Sequence, residues 1–251
     1  MQLRYLLTII AAMTVAAVWV GTISAQQPTT MDAATKLITD AQTHFANIRD
    51  YTGMFYKQER INGQLNPEQT IQITARNQPF AVHMKWVGPK TMAGQEACYA
   101  VGKNNNMLRA KAASGLAAAL GFVSIDPKDP RALATNRRPI TDSGMGNMIE
   151  SLASQHHANC KRPDQVSIAF AEYRFLQKPC IRLESTQRKN DGSTPYYRKV
   201  VFFDKESHLP VRVENYDWPK QGGPPGGELL ECYSYVDLKF NVGLTDEAFN
   251  Y

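Results

Sequence analysis

This sequence is short of the residues and motifs that mark a catalytic site. It has five histidines, His44, His83, His156, His157 and His208, and none falls in the H-E-x-x-H spacing of a zinc helix. There is no G-x-S-x-G turn to lift a nucleophilic serine. Gly144 and Gly146 form a G-x-G with no glycine at the third position, which has no phosphate-binding weight. Asp126 and Asp129 lie in a proline-rich turn, where aspartate serves backbone geometry. The adjacent rings of His156 and His157 point apart at an expected helix end, where cationic histidine is favourable. These gaps predict a non-catalytic protein with no metal and no cofactor.

Clustered basic charge is missing too. Lys and Arg number 28 against 23 Asp and Glu, a net charge of +5, and they are scattered. Nucleic acid is therefore excluded as a partner. The four cysteines, Cys98, Cys160, Cys180 and Cys232, permit two disulfides in three connectivities. Free buried thiols are the other reading, since Cys98 and Cys232 sit beside apolar strand residues.

Long apolar runs are absent beyond the first 25 residues. Within them, Arg4 precedes an apolar stretch from Tyr5 to Val20, and Ile23-Ser24-Ala25 offers a peptidase site. That is the pattern of a cleavable secretory signal. The run is near the lower limit for spanning a bilayer, roughly 17 residues, and has no basic stop-transfer flank. No cysteine follows it, which excludes the lipoprotein route. Cleavage after Ala25 leaves residues 26–251 with 27 basic and 23 acidic side chains, net +4, as one domain that is periplasmic or extracellular.

What is present is strand pattern and aromatic surface. Residues 31–49 carry Ala34, Leu37, Ile38, Ala41, Phe45 and Ile48 on one helical face, with Thr29 or Thr30 as cap. Strands are expected over 50–61, 69–76, 80–86, 96–101, 107–112, 165–175, 180–187, 196–204, 210–216 and 229–240. Asn62-Gly63 marks a tight turn. Alternation places Phe80, Val82, Met84 and Trp86 inward, with His83 and Lys85 facing solvent. A second helix, capped by Thr141, carries Met145, Met148, Ile149 and Leu152. A last helical turn is expected over 244–249. This order predicts an α+β, mainly β fold: a large curved antiparallel sheet with an N-terminal helix and a central helical insertion on its concave side.

The chain has ten Phe, eleven Tyr and three Trp, and most fall on expected strands. A two-faced packed core is one account. A sheet curled around a cavity for an acyl chain or other apolar ligand is the other.

The segment Arg76-Asn77-Gln78-Pro79-Phe80 through Trp86 to Pro89, with the preceding hairpin and His208-Leu209-Pro210, resembles the periplasmic lipoprotein carriers LolA and LolB and the sensor RseB. That resemblance implies an incomplete β-barrel whose cavity holds lipoprotein acyl chains. A closer resemblance, across residues 50–250, is to an exported bacterial family of unknown function. It rests on Gly53-x-Phe55-x-Lys57-Gln58-Glu59-Arg60, Pro79-Phe80, Lys85-Trp86, Arg138-Pro139-Ile140-Thr141, Tyr216-Asp217-Trp218-Pro219 and Asn241-Val242-Gly243-Leu244-Thr245-Asp246. The Ala-rich insertion at 112–140 is longer than in a compact carrier.

The leading expectation is a monomeric, non-catalytic carrier or sensor for a lipid or lipoprotein acyl chain. Phe55, Phe80, Val82, Met84, Trp86, Leu116, Leu120 and Phe122 are the cavity candidates. Residues 112–125 are expected to cover the open side of the sheet and to move, with Gly115 and Gly121 as hinge points. The alternatives are an envelope module that binds another protein and has no cavity, and a hydrolase built on Asp126, His156 or His157. N-terminal sequencing of the exported protein is expected to begin Gln26-Gln27-Pro28. A chain that starts at Met1 and sediments with membranes refutes the cleavable signal.

Overall fold

The computed structural model describes residues 27–28 and 31–251. The export segment 1–25 and the Thr29 or Thr30 cap lie outside the described residues. In chain order the strands are β1 (Gln27–Pro28), β2 (Asp50–Ile61), β3 (Gln64–Leu65), β4 (Gln69–Arg76), β5 (Ala81–Gly88), β6 (Glu96–Ala100), β7 (Leu108–Lys111), β8 (Val123–Ile125), β9 (Val166–Phe175), β10 (Lys178–Gln187), β11 (Arg198–Asp204), β12 (Pro210–Tyr216) and β13 (Leu229–Phe240). The helices are α1 (Met31–Phe45), α2 (Gly115–Ala119), α3 (Pro130–Leu133) and α4 (Met145–Cys160). Among the described residues no helix is long and apolar enough to cross a membrane.

The strands pair antiparallel in the order β1-β9-β10-β11-β12-β13-β2-β4-β5-β6-β7-β8, with β3 on β2. The sheet is open, with β1 at one edge and β8 at the other. Neighbours in sequence are mostly neighbours in space. The exceptions are β1 on β9, the central pairing of β13 with β2, and β4 on β2 past the short β3. Asn62 (φ 51°) and Gly63 (φ 81°) form the turn that folds β3 back on β2. Positive φ at both positions matches the right-handed strand twist.

The concave face holds two apolar clusters. In one, Ala34, Ile38 and Ala41 of α1 pack with Leu152 of α4 on Val166, Leu183, Val201, Phe203 and Val213. In the other, Met145 and Ile149 of α4 pack on Tyr51, Phe55, Ile73, Met84 and Trp86. The helices sit there because each shows a small or branched apolar stripe to a face whose alternate strand positions are apolar. Helix α4 starts later than its sequence suggests. Thr141 lies in a 3-10 turn, Ile140–Asp142, and Gly144 at φ 91° precedes the helix. The Met145 N–H donates to the Tyr51 hydroxyl at 2.8 Å, so a strand residue caps α4.

The insertion is on the concave side, but residues 112–125 do not lie across the sheet as a single cover. Val123–Ile125 extends the sheet as edge strand β8. Leu116 on α2 is 91% exposed, because a five-residue helix has too few turns to bury a stripe.

Residues 244–251 cross the convex face, where Leu244, Ala248 and Phe249 pack on Ala81, Cys98 and Ala100. This corrects the expectation for His83. It is 9% exposed, stacked on Tyr251 at 4.2 Å and hydrogen-bonded to Glu96 at 3.0 Å. Lys85 does face solvent. His156 is also buried, bonded to the Thr35 hydroxyl at 2.8 Å between α1 and α4, while His157 is exposed. All four cysteines are free thiols, and only Cys160 is exposed. Burial pushes the Cys98 thiol up to about 12, and its Sγ donates to the Phe249 carbonyl. Phe249→Ala is expected to cost about 3 kcal/mol in urea unfolding. It should also speed Cys98 labelling by a thiol reagent, and an unchanged labelling rate refutes the cover.

Candidate functional site

Between the concave face and residues 117–152 lies a cavity of about 540 Å³, within the range of small-ligand sites. Its walls are of two kinds. Phe55, Met84, Trp86, Leu108, Met148 and Tyr235 make one part apolar. Lys57, Glu59, Arg138, Lys199, Asn215 and Glu231 make the other polar and charged.

The strand register explains the charged part. Lys199 lies opposite Asn215, Asn215 opposite Glu231, and Glu231 opposite Glu59. Residues opposite each other in an antiparallel pair share a face. Four polar side chains from β11, β12, β13 and β2 therefore form one row across the concave surface. In the next row Tyr233 lies opposite Lys57, and Lys57 opposite Gln69. Gln69 accepts the Trp86 indole N–H at 2.8 Å, at the border with the apolar wall.

Glu231 is the centre of the row and is 1% exposed. One of its oxygens accepts from Tyr196 (2.7 Å), Asn215 (2.7 Å) and Arg138 (2.9 Å). The other accepts from Arg137 (3.2 Å) and shares the single Tyr233 hydroxyl proton, 3.1 Å away, with Glu59. Burial raises its pKa, but Arg138, Tyr196 and Asn215 outweigh burial and hold it at about 2. Glu59 pairs with Lys57 at 3.2 Å and accepts from the Arg137 backbone N–H and the Tyr233 hydroxyl. Lys57 in turn bonds Asn136. Three consecutive residues of the insertion, Asn136, Arg137 and Arg138, thus clamp onto the row. Burial raises the Tyr233 pKa, as do the two carboxylates beside it, so its hydroxyl stays a donor.

Lys199 is different. It is 7% exposed, and among the described residues its ammonium has neither a hydrogen bond nor an ion pair. The ring of Tyr196 lies 5.5 Å from it. Burial pushes its pKa down to about 8, against the pull of Glu231.

Of the residues read from sequence, Phe55, Met84, Trp86 and Leu120 line the cavity. Leu120 does so at the rim, 75% exposed. Val82 is in the core beneath the wall, and Phe80 packs against Tyr99 and the same core. Leu116 points to solvent. Phe122 lies on Tyr251 at 5.1 Å with Lys111 over its ring. Neither Phe80, Val82, Leu116 nor Phe122 lines this cavity. No hydrogen bond, ion pair or cavity joins Asp126, His156 and His157 among the described residues. Sequence reading missed the charged row. Its signal was present as charge at inward-parity positions of strands: Lys57 and Glu59 after Phe55, and Glu231 before Tyr233 and Tyr235.

A carboxylate held at about 2 instead of its ordinary 4.5 stabilises the fold fully above pH 4.5. That contribution is lost as pH falls through about 2. Glu231→Gln is expected to cost about 3–5 kcal/mol at neutral pH, the cost of breaking a buried pair. It should also flatten stability over that acid window. A full acid-side loss retained in the variant refutes the assignment.

The family described as "Protein of unknown function (DUF1571)" matches residues 48–251. No curated protein sequence matches the chain. Among solved structures, similarity extends to an uncharacterized conserved protein from Thermus thermophilus, at 10% identity over 87% of this chain and 94% of that one, with a TM-score of 0.48. Lipoprotein LppX from Mycobacterium tuberculosis aligns at 10% identity, 85% and 98% coverage and a TM-score of 0.46. A LolA superfamily protein from Nitrosomonas europaea aligns at 11% identity, 87% and 97% coverage and a TM-score of 0.40. The open antiparallel sheet with helices on its concave side is the architecture that the resemblance to lipoprotein carriers implied. The family match covers most of the sequence, and the chain belongs to the DUF1571 family of proteins of unknown function.

Proposed function

We propose that this protein is a non-catalytic carrier or sensor in the cell envelope that takes an apolar chain, a lipid or a lipoprotein acyl chain, into the cavity between its sheet and residues 117–152. The observation behind this reading is the wall itself. Phe55, Met84 and Trp86 present apolar side chains to open space of about 540 Å³, and the helices that fill the rest of the concave face leave that space free. A protein-binding module without a ligand site predicts a filled interior there. The hydrolase reading has no converging residues behind it. The export pattern at 1–25 supports work outside the cytoplasm, and binding one chain per cavity needs no second subunit.

Leu120 at the rim and Ala117 beside it give the entry an apolar edge. Residues 112–125 act as its movable border in this reading, with Gly121 at φ 68° as a turning point.

Native mass spectrometry of protein purified from the periplasm is expected to show a bound lipid. The delipidated protein should take up a fluorescent fatty acid. Ala110→Trp fills the wall from β7 and should abolish uptake while the protein stays folded. Recovery of only ligand-free protein, together with no uptake by the wild type, sinks the reading. Undiminished uptake by Ala110→Trp removes this cavity as the site.

A further inference from the structure

The charged end of the cavity is a wall shared with a second opening. A polar cleft, also about 540 Å³, is lined by Arg137, Arg162, Asn159, Gln155 and Thr194. Arg138, Lys199 and Glu231 line both spaces. A chain lying in the apolar space would therefore place its end group at these residues, within reach of solvent through the cleft.

The charge balance at that junction is not closed. Lys57, Arg137, Arg138 and Lys199 face two buried carboxylates, Glu59 and Glu231. Both carboxylates are already engaged, Glu59 with Lys57 and Glu231 with Arg137 and Arg138. Asp142, also shared by the two spaces, is solvent-exposed. Lys199 is left without an ion pair among the described residues, nine-tenths buried, on the cavity wall. A buried ammonium without a partner is costly. Arg138 directs Nη2 to Tyr196 and Glu231, and its other guanidinium donors bond no described residue. An anion between the two would receive charge-assisted hydrogen bonds from an ammonium and a guanidinium. A neutral end group would leave Lys199 as it is.

We propose that Lys199, with Arg138, is the head-group site of this cavity, and that the ligand is an amphiphile with one apolar chain and an anionic head, a carboxylate or a phosphate. This rests on the reading that the cavity takes an apolar chain, and deepens it by naming the chemistry of the chain's end.

The test uses the delipidated full-length mature protein and four probes: palmitate, palmitoyl lysophosphatidic acid, 1-hexadecanol and inorganic phosphate. At neutral pH both anionic chains are expected to bind about tenfold more tightly than hexadecanol, the strength of one hydrogen bond to a charged group. Lys199→Met should remove that advantage and leave hexadecanol unchanged, and Lys199→Arg should retain it. The variant deletes an unpaired buried charge, so it should fold at least as stably as the wild type. If only one anionic chain shows the advantage, the head chemistry narrows to carboxylate or to phosphate and the proposal stands. Equal binding of all three chains by the wild type, or equal weakening of all three in Lys199→Met, overturns the head-group site while leaving the apolar cavity intact. Phosphate alone binding as tightly as the chains overturns the amphiphile. Failure of every chain to bind overturns the carrier reading and this one together.

Discussion

A carboxylate almost wholly withdrawn from water destabilises a fold by several kcal/mol unless donors hold it charged, and Glu231 is held by five. Two of the five, Tyr233 (shared with Glu59) and Asn215, come from the sheet itself, on β13 and the adjacent β12. Tyr196 comes from the segment leading into β11. The last two, Arg137 and Arg138, come from the insertion. The insertion buries little apolar surface of its own. It is fixed where it is because two guanidinium groups and the Asn136 amide bond to groups that cannot stay buried without them. The cavity wall opposite the sheet depends on that clamp.

The same row explains why there is a cavity at all. On the β9–β12 side, α1 and α4 close down on Val166, Ile168, Leu183, Val201, Phe203 and Val213. Along the row the inward sites change to Lys199, Asn215, Glu231 and Glu59, with Lys57 beside them. No helix stripe can pack on those without stranding charge. The helices stop short, and the gap is edged by small residues, Ala97, Ala110, Ala112 and Ala117. An interior is otherwise close-packed, so the space follows from polarity on one side and small side chains on the other.

Much of the scaffold was legible in the sequence. The strands over 50–61, 69–76, 210–216 and 229–240 have the bounds that alternation and turn residues imply. So does the stripe Ala34, Ile38, Ala41, because period is a local property. What was not legible depends on distant partners. Alternation put His83 outward correctly as a matter of face, but only residues 244–251, arriving from far along the chain, make that face buried. Thr141 has the chemistry of a cap, yet Tyr51 on β2 supplies the bond. Phe122 is as apolar as Leu120, and the hairpin of β7 and β8 carries it round to Tyr251. The charged row was hidden for a related reason. Each charged residue looks solvated when read alone, and only the register of β11, β12, β13 and β2 puts Lys199, Asn215, Glu231 and Glu59 in line.

That alignment gives the cavity a direction. Its apolar wall runs from the rim at Leu120 through Trp86 and Phe55, and the transition occurs at the Trp86–Gln69 bond, where an indole keeps its N–H satisfied while its ring stays apolar. Beyond it the wall turns to charge within two residues of β2, from Phe55 to Lys57. A featureless oily pocket would hold a chain in either orientation. Here the Phe55 and Trp86 end is mainly apolar, with Glu96 and Lys111 paired at its edge, and the other end carries more positive than negative groups, so the ligand proposed above would meet two unlike ends. That asymmetry is maintained by Glu231 and Glu59, which pair with Arg137, Arg138 and Lys57 but form no ion pair with Lys199.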